Sequence, residues 1–207
     1  MKYLYAVLAL FVMCAPAYAA GAGQAVPQAC YDTKTDAASL KAQVAGCTLL
    51  LASPSPGDNI AGFYLNRGIA HRKLGENALA VADYTQHIKL MPDDVRGYNG
   101  LCFARALMGQ LKVALADCNK ALSLVPDDRY TLDTRGFVNV KLGLYDAAIA
   151  DYDAELAQSE KFPESYFGRG IAKIRKGDKA GGAADIASAK ALDSNIAAEM
   201  AKIGLKP

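Results

Sequence analysis

An all-α solenoid with an N-terminal helix and a C-terminal capping helix is the fold class this sequence predicts, and three observations carry it. Glycine recurs at Gly75, Gly109, Gly143 and Gly177, each 34 residues after the last. Three further columns keep that interval: Asp83, Asp117, Asp151 and Asp185; Ala80, Ala114, Ala148 and Gly182; and Tyr64, Tyr98, Leu132 and Tyr166. Small residues return at Gly68, Cys102, Gly136 and Gly170. Such a period, held without an insertion, means one supersecondary unit repeated in series, each copy burying its apolar face on its neighbour.

The four units are 61–94, 95–128, 129–162 and 163–196, and each reads as two helices. In the first unit, Tyr64, Gly68, Ala70 and His71 mark one helix, which Gly75 stops, because glycine takes the left-handed conformation that closes a helix. Ala80, Tyr84, Ile88 and Leu90 then recur at the spacing of an amphipathic helix. Pro92 cannot continue that helix, and Asp94 suits the N-cap of the next unit. Pro126, Asp127 and Asp128 repeat this punctuation; later units relax it, with Glu160 and Ser194 in the proline column and Pro163 displaced.

Flanking the units, residues 20–60 hold one helix, over 36–52, with Val44, Cys47, Leu50 and Leu51 on one face. It echoes the second helix of a repeat, and the loop at 53–59 follows it. At the other end 197–207 form a cap, with a short helix over 194–203 covering the last open interface.

These residues resemble the tetratricopeptide repeat (TPR), which has the same length and a small–glycine–alanine–aromatic–proline pattern. Tyr64, Gly68, Gly75, Ala80, Tyr84 and Pro92 carry the match in the first unit and recur with few departures in the next two. The last unit is weaker, with Gly182 and Ile186 where alanine and an aromatic are usual. The resemblance covers about two-thirds of the chain and implies a right-handed TPR α-solenoid of four helix–turn–helix repeats.

Residues 1–19 read as a secretory signal: Lys2, an apolar run from Leu4 to Met13, and Ala17-Tyr18-Ala19 as the cleavage motif, with cleavage after Ala19. The run is too short to span a bilayer, and Met13 before Cys14 does not fit a lipid-attachment motif. The sequence therefore predicts a periplasmic or secreted protein without an integral membrane segment after cleavage. Four cysteines then remain in an oxidising compartment. A Cys30–Cys47 bridge would pin the entry segment, worth about 3 kcal/mol in the chain-entropy model. Cys102 and Cys118 replace the small and aromatic residues of the second unit together; they either bond or remain two buried thiols.

Chemistry is sparse. The chain carries 23 basic and 21 acidic residues and no basic run, so nucleic acid is not an expected partner. His71 and His87 lie near interhelical columns without the further ligands a metal site needs, and are read as packing residues. No catalytic residue, metal site or cofactor is predicted. Arg67, Arg135 and Arg169 share one column, and Asp83, Asp151 and Asp185 another; they are expected to pair within a unit or across a junction, although Leu101 breaks the arginine column.

The remaining functional surface is the inner one. In proteins of the family resembled, first helices line a groove that receives a partner segment. Carried to this chain, the groove candidates are Leu65, Asn66, Ile69, Arg96, Asn99, Phe103, Tyr130, Phe137, Phe167 and Ile171, with Asp133 among them and Lys73 and Lys141 farther along. Apolar anchors would supply affinity, while Asn66 and Asn99 would bond a peptide backbone. The family's lysine–asparagine clamp for a C-terminal carboxylate is not implied: Leu65 and Ile69 stand in clamp columns, and Gly100 and Thr134 supply no basic partner. The expected function is a non-enzymatic protein-interaction module or scaffold of the cell envelope. The alternatives are an accessory subunit of an envelope enzyme or assembly complex, and a self-associating structural protein.

Overall fold

The structure, a computed structural model, describes residues 25–206; the predicted secretory signal lies outside the described residues. A short helix α1 (Ala25–Gln28) and a 3-10 turn (Ala29–Tyr31) lead into α2 (Ala37–Ala52). Four antiparallel pairs follow: α3 (Ile60–Lys73) with α4 (Asn77–Leu90), α5 (Val95–Leu107) with α6 (Leu111–Leu124), α7 (Arg129–Leu142) with α8 (Tyr145–Gln158), and α9 (Pro163–Lys176) with α10 (Lys179–Leu192). α11 (Ile196–Lys202) closes the chain, and there is no strand among the described residues.

The punctuation works as the residue types dictate. Asp94 caps α5 by accepting from the Arg96 amide, Asp128 caps α7 through the Thr131 amide, and Pro163 opens α9 at a position where its missing N–H costs nothing. The periodic glycines all have positive φ, between 77° and 111°. Each lets the following amide fold back on the helix it leaves: Glu76 N–H donates to the His71 carbonyl at 2.9 Å, and Gln110, Leu144 and Asp178 repeat the bond in their units.

The pairs stack in two layers. α5 touches both α3 and α7, and α7 touches α9, whereas α4, α6, α8 and α10 touch only helices adjacent in sequence. The first helices therefore form the inner layer. α2 packs on α3 as the second helix of a truncated unit, and the 3-10 turn stands where that unit's first helix would be. There Cys30 and Cys47 are joined, with sulfurs 2.08 Å apart, and pack with Phe63.

Within each full unit one small residue faces one bulky residue sixteen positions on. A Cβ added at Gly68 would lie 3.0 Å from the Tyr84 ring, and at Gly136 2.8 Å from the Tyr152 ring. In the second unit these two positions are Cys102 and Cys118, whose sulfurs lie 2.01 Å apart, within bonding distance.

The arginine and aspartate columns meet inside the units: Arg67 on Asp83 at 2.7 Å, Arg135 on Asp151 at 2.6 Å and Arg169 on Asp185 at 2.8 Å. Each arginine also reaches the preceding second helix, at Thr48, Asn119 and Asp153 respectively. One guanidinium thus ties three helices, using the planar fork that lysine lacks. In the second unit Leu101 is buried and Arg105, one turn later, bonds Asp117 instead at 2.6 Å. At the C-terminus Ile196, Met200 and Leu205 bury themselves in the same apolar cluster as Phe167 and Ile171, covering the last unit.

Candidate functional site

The inner layer opens into a cavity of about 370 Å³ between α3, α5 and the start of α7. Leu65, Ile69 and Arg72 come from α3, Asn99, Gly100 and Phe103 from α5, and Tyr130, Asp133 and Thr134 from α7. The Tyr84 ring reaches the floor from the outer helix α4, passing beneath Gly100, where an added Cβ would lie 2.6 Å from it.

The ten groove candidates divide. Leu65, Ile69, Arg96, Asn99, Phe103 and Tyr130 line this cavity together, and Tyr130 is 60% exposed. Asn66 is diverted: its amide donates to the Cys30 carbonyl at 3.2 Å, and it lines a separate recess with Lys73 and Gln43. Phe137, Phe167 and Ile171 do not line a groove. They are 2%, 0% and 1% exposed and belong to the core, because their turns of α7 and α9 press against adjacent helices and the cap. Phe137 meets Phe103 edge-on at 5.7 Å, so it supports the groove wall from behind. Lys141 is likewise drawn away, over the Phe137 ring and toward the Ile203 carbonyl.

Arg72 and Tyr84 belong to the cavity but not to the sequence-derived set. Tyr84 sits on a second helix, where its column reads as packing; the signal for its reach is glycine at both Gly68 and Gly100.

The walls differ in charge. On the α3 and α5 side, Arg72 lies over the Phe103 ring at 5.0 Å, and Arg96 is bound to Asp94 at 2.6 Å. The Arg96 guanidinium, by hydrogen bonding, holds the Asp94 carboxyl below its ordinary value. On the α7 side, burial pushes the Asp133 carboxyl well above the usual carboxylate range, and the charges of Glu155 and Glu164 push it the same way. Burial also pushes Glu155 up to about 7, against the Ser165 hydroxyl, which donates to it at 2.6 Å. Beneath them the Tyr152 hydroxyl is buried without a hydrogen-bond partner among the described residues. Its proton is held more tightly than usual by burial and by the charges of Asp133 and Glu155.

The histidines are structural. His87 Nδ1 donates to the Ala61 carbonyl at 2.9 Å, while its Nε2 lies 3.2 Å from Asp94, close enough for ion pairing but off the hydrogen-bond line. His71 Nδ1 meets Glu76 at 2.6 Å. Among the described residues no group of three or more side chains could hold a metal ion, and no helix is long and apolar enough to cross a membrane.

Solved structures with the same arrangement are TPR proteins. A TPR protein of Parabacteroides merdae superposes with a TM-score of 0.66 at 19% identity, covering 87% of this chain and 73% of its own. A thermophilic TPR protein of Thermus thermophilus gives 0.65 at 22% identity, covering 80% and 91%. This chain folds as a TPR α-solenoid. MamA has the same fold, with a TM-score of 0.62 at 19% identity over 80% of this chain and 92% of MamA. No family model and no curated protein sequence matches the chain. At these identities the likeness fixes the TPR backbone, while the groove's side chains are this protein's own.

Proposed function

We propose that the protein is a non-enzymatic interaction scaffold of the cell envelope that receives a segment of a partner protein in the groove between α3, α5 and α7. The observation that carries this reading is the cavity itself. It is a concave, largely apolar surface with Ile69 and Phe103 partly open and a few polar groups converging on it, the composition of a peptide-binding groove. TPR solenoids with this fold support the class. The envelope location rests on the signal-like residues 1–19, and two cysteine pairs at bonding distance fit an oxidising compartment.

Site-specific photocrosslinking tests it. A benzophenone side chain is placed at Tyr130 or Phe103, and at Val113 on the outer face, which is half-exposed. In the native envelope the groove positions should yield a discrete adduct that Val113 does not. Adducts of equal yield and mass at all three positions, or at Val113 alone, would refute the groove as the site.

A further inference from the structure

The inner-face column of the repeat runs Leu65, Asn99, Asp133, Phe167, one residue per unit. The middle two are polar, both line the cavity, and neither carboxyl nor amide oxygen finds a donor among the described residues. The Asn99 side-chain carbonyl is buried with no donor among the described residues. Asp133 has no hydrogen-bond donor and no cation within 4 Å among them; only burial and two like charges act on it. The fully buried Tyr152 hydroxyl beneath is a third polar group without a partner. Ionising a carboxyl among carboxylates and away from counter-ions is costly unless a cation meets it.

We propose that this end of the groove takes a lysine or arginine side chain of the partner segment, seated on Asp133 and the Asn99 carbonyl. A neighbouring apolar side chain of the segment then lies against Leu65, Ile69 and Phe103. This inference rests on the groove reading above and adds the partner's chemistry. An acidic segment is the competing occupant, since Arg72 and Arg96 also border the cavity. Arg96, however, is already matched by Asp94, Arg72 lies on the face of Phe103, and Arg129 is stacked over Tyr130 and Phe162. The cations bordering the cavity have partners and Asp128 accepts from Thr131, whereas Asp133 has neither donor nor counter-ion among the described residues, and a cation seated beside it would favour its ionised form; the unmet demand is for positive charge. Asp133 faces Glu155 from α8 and Glu164 from α9, and both strengthen that demand.

A random dodecamer display library panned against the immobilised protein tests this. Wild type should enrich peptides with a lysine or arginine beside an apolar residue. Asp133→Lys should enrich aspartate or glutamate at that place instead. Asp133→Asn, checked for folding by circular dichroism, should bind the wild-type peptides roughly ten- to a hundred-fold more weakly, as expected for loss of a hydrogen bond to a charged group. An acidic consensus, or one unchanged by both substitutions yet lost in Phe103→Glu, would overturn the proposal while leaving the groove standing. Enriched peptides indifferent to Phe103→Glu and Tyr130→Glu, or no enrichment at all, would remove the groove and the proposal with it.

Discussion

Replacing Glu155 by glutamine should reverse sign with pH. Glu155 is 4% exposed, and its proton is held up to about 7 against an ordinary value of 4.5. Between those values the unfolded chain has released a proton that the folded chain keeps, so stability falls as pH rises through this window and is flat above it. At 1.36 kcal/mol per unit the full change is about 3 kcal/mol. Asp133 acts in the same direction, since burial and the charge of Glu155 raise its carboxyl as well. Glutamine mimics the protonated acid and can still accept from Ser165, so Glu155→Gln fixes the molecule in its low-pH arrangement.

The assay is urea unfolding followed by circular dichroism from pH 4.5 to 8, on wild type and variant side by side. Wild type should lose about 3 kcal/mol relative to the variant by pH 7.5, leaving Glu155→Gln the more stable protein at neutral pH. Ser165→Ala, which removes the bond favouring the ionised form, should extend the wild-type decline to higher pH. Two stability curves running parallel across the window would refute the assignment of a retained proton to this cluster.

The Cys102–Cys118 bond closes a loop of sixteen residues, and replacing both cysteines by alanine should cost about 3 kcal/mol in urea unfolding; a midpoint unmoved by the double replacement or by reductant would show that the bond does not form in solution. A double-mutant cycle on Arg135 and Asp151 should give a coupling of about 1–3 kcal/mol, because the pair is bidentate and Asp151 is buried. The equivalent cycle in the second unit should couple Asp117 to Arg105 and not to any residue at Leu101.

The repeat was legible because its determinants are local and periodic. A glycine after the first helix of each unit and an aspartate before α5 and α7 specify backbone geometry on their own. The arginine–aspartate pairing could also be read, since two columns at one period must meet if they meet once. The groove was only half legible. Phe103 and Phe137 share a column, yet one borders the cavity and the other is sealed in the core. Which turns of an inner helix stay open depends on how far the neighbouring unit and the cap press in, and Ile196 and Leu205 act from outside any repeat column. Arg105 escaped for a related reason: it left the register to take over a task from Leu101.

One column does yield its logic once the structure shows what lies behind it. Positions 66, 100, 134 and 168 hold Asn66, Gly100, Thr134 and Gly168. By the repeat register each is set against the second helix of the preceding unit, whose residue in the tyrosine column is Tyr84 for Gly100, Cys118 for Thr134 and Tyr152 for Gly168, with Cys47 its echo in the truncated unit before Asn66. Where that residue is tyrosine, its ring passes beneath the inner helix and only glycine fits: an added Cβ would touch the ring of Tyr84 at Gly100 and that of Tyr152 at Gly168. Where it is a bonded cysteine, no ring is present to exclude a side chain, and the sequence carries asparagine or threonine. Gly168→Ala should therefore cost about 1–3 kcal/mol by overpacking, and Tyr152→Phe should relieve part of that cost, because the clash at Gly168 includes the tyrosine hydroxyl. Thr134→Ala, opposite Cys118, should cost far less. Equal losses at positions 134 and 168 in thermal unfolding would show that the alternation of cysteine and tyrosine on the outer helices does not dictate which side chains the inner wall can carry.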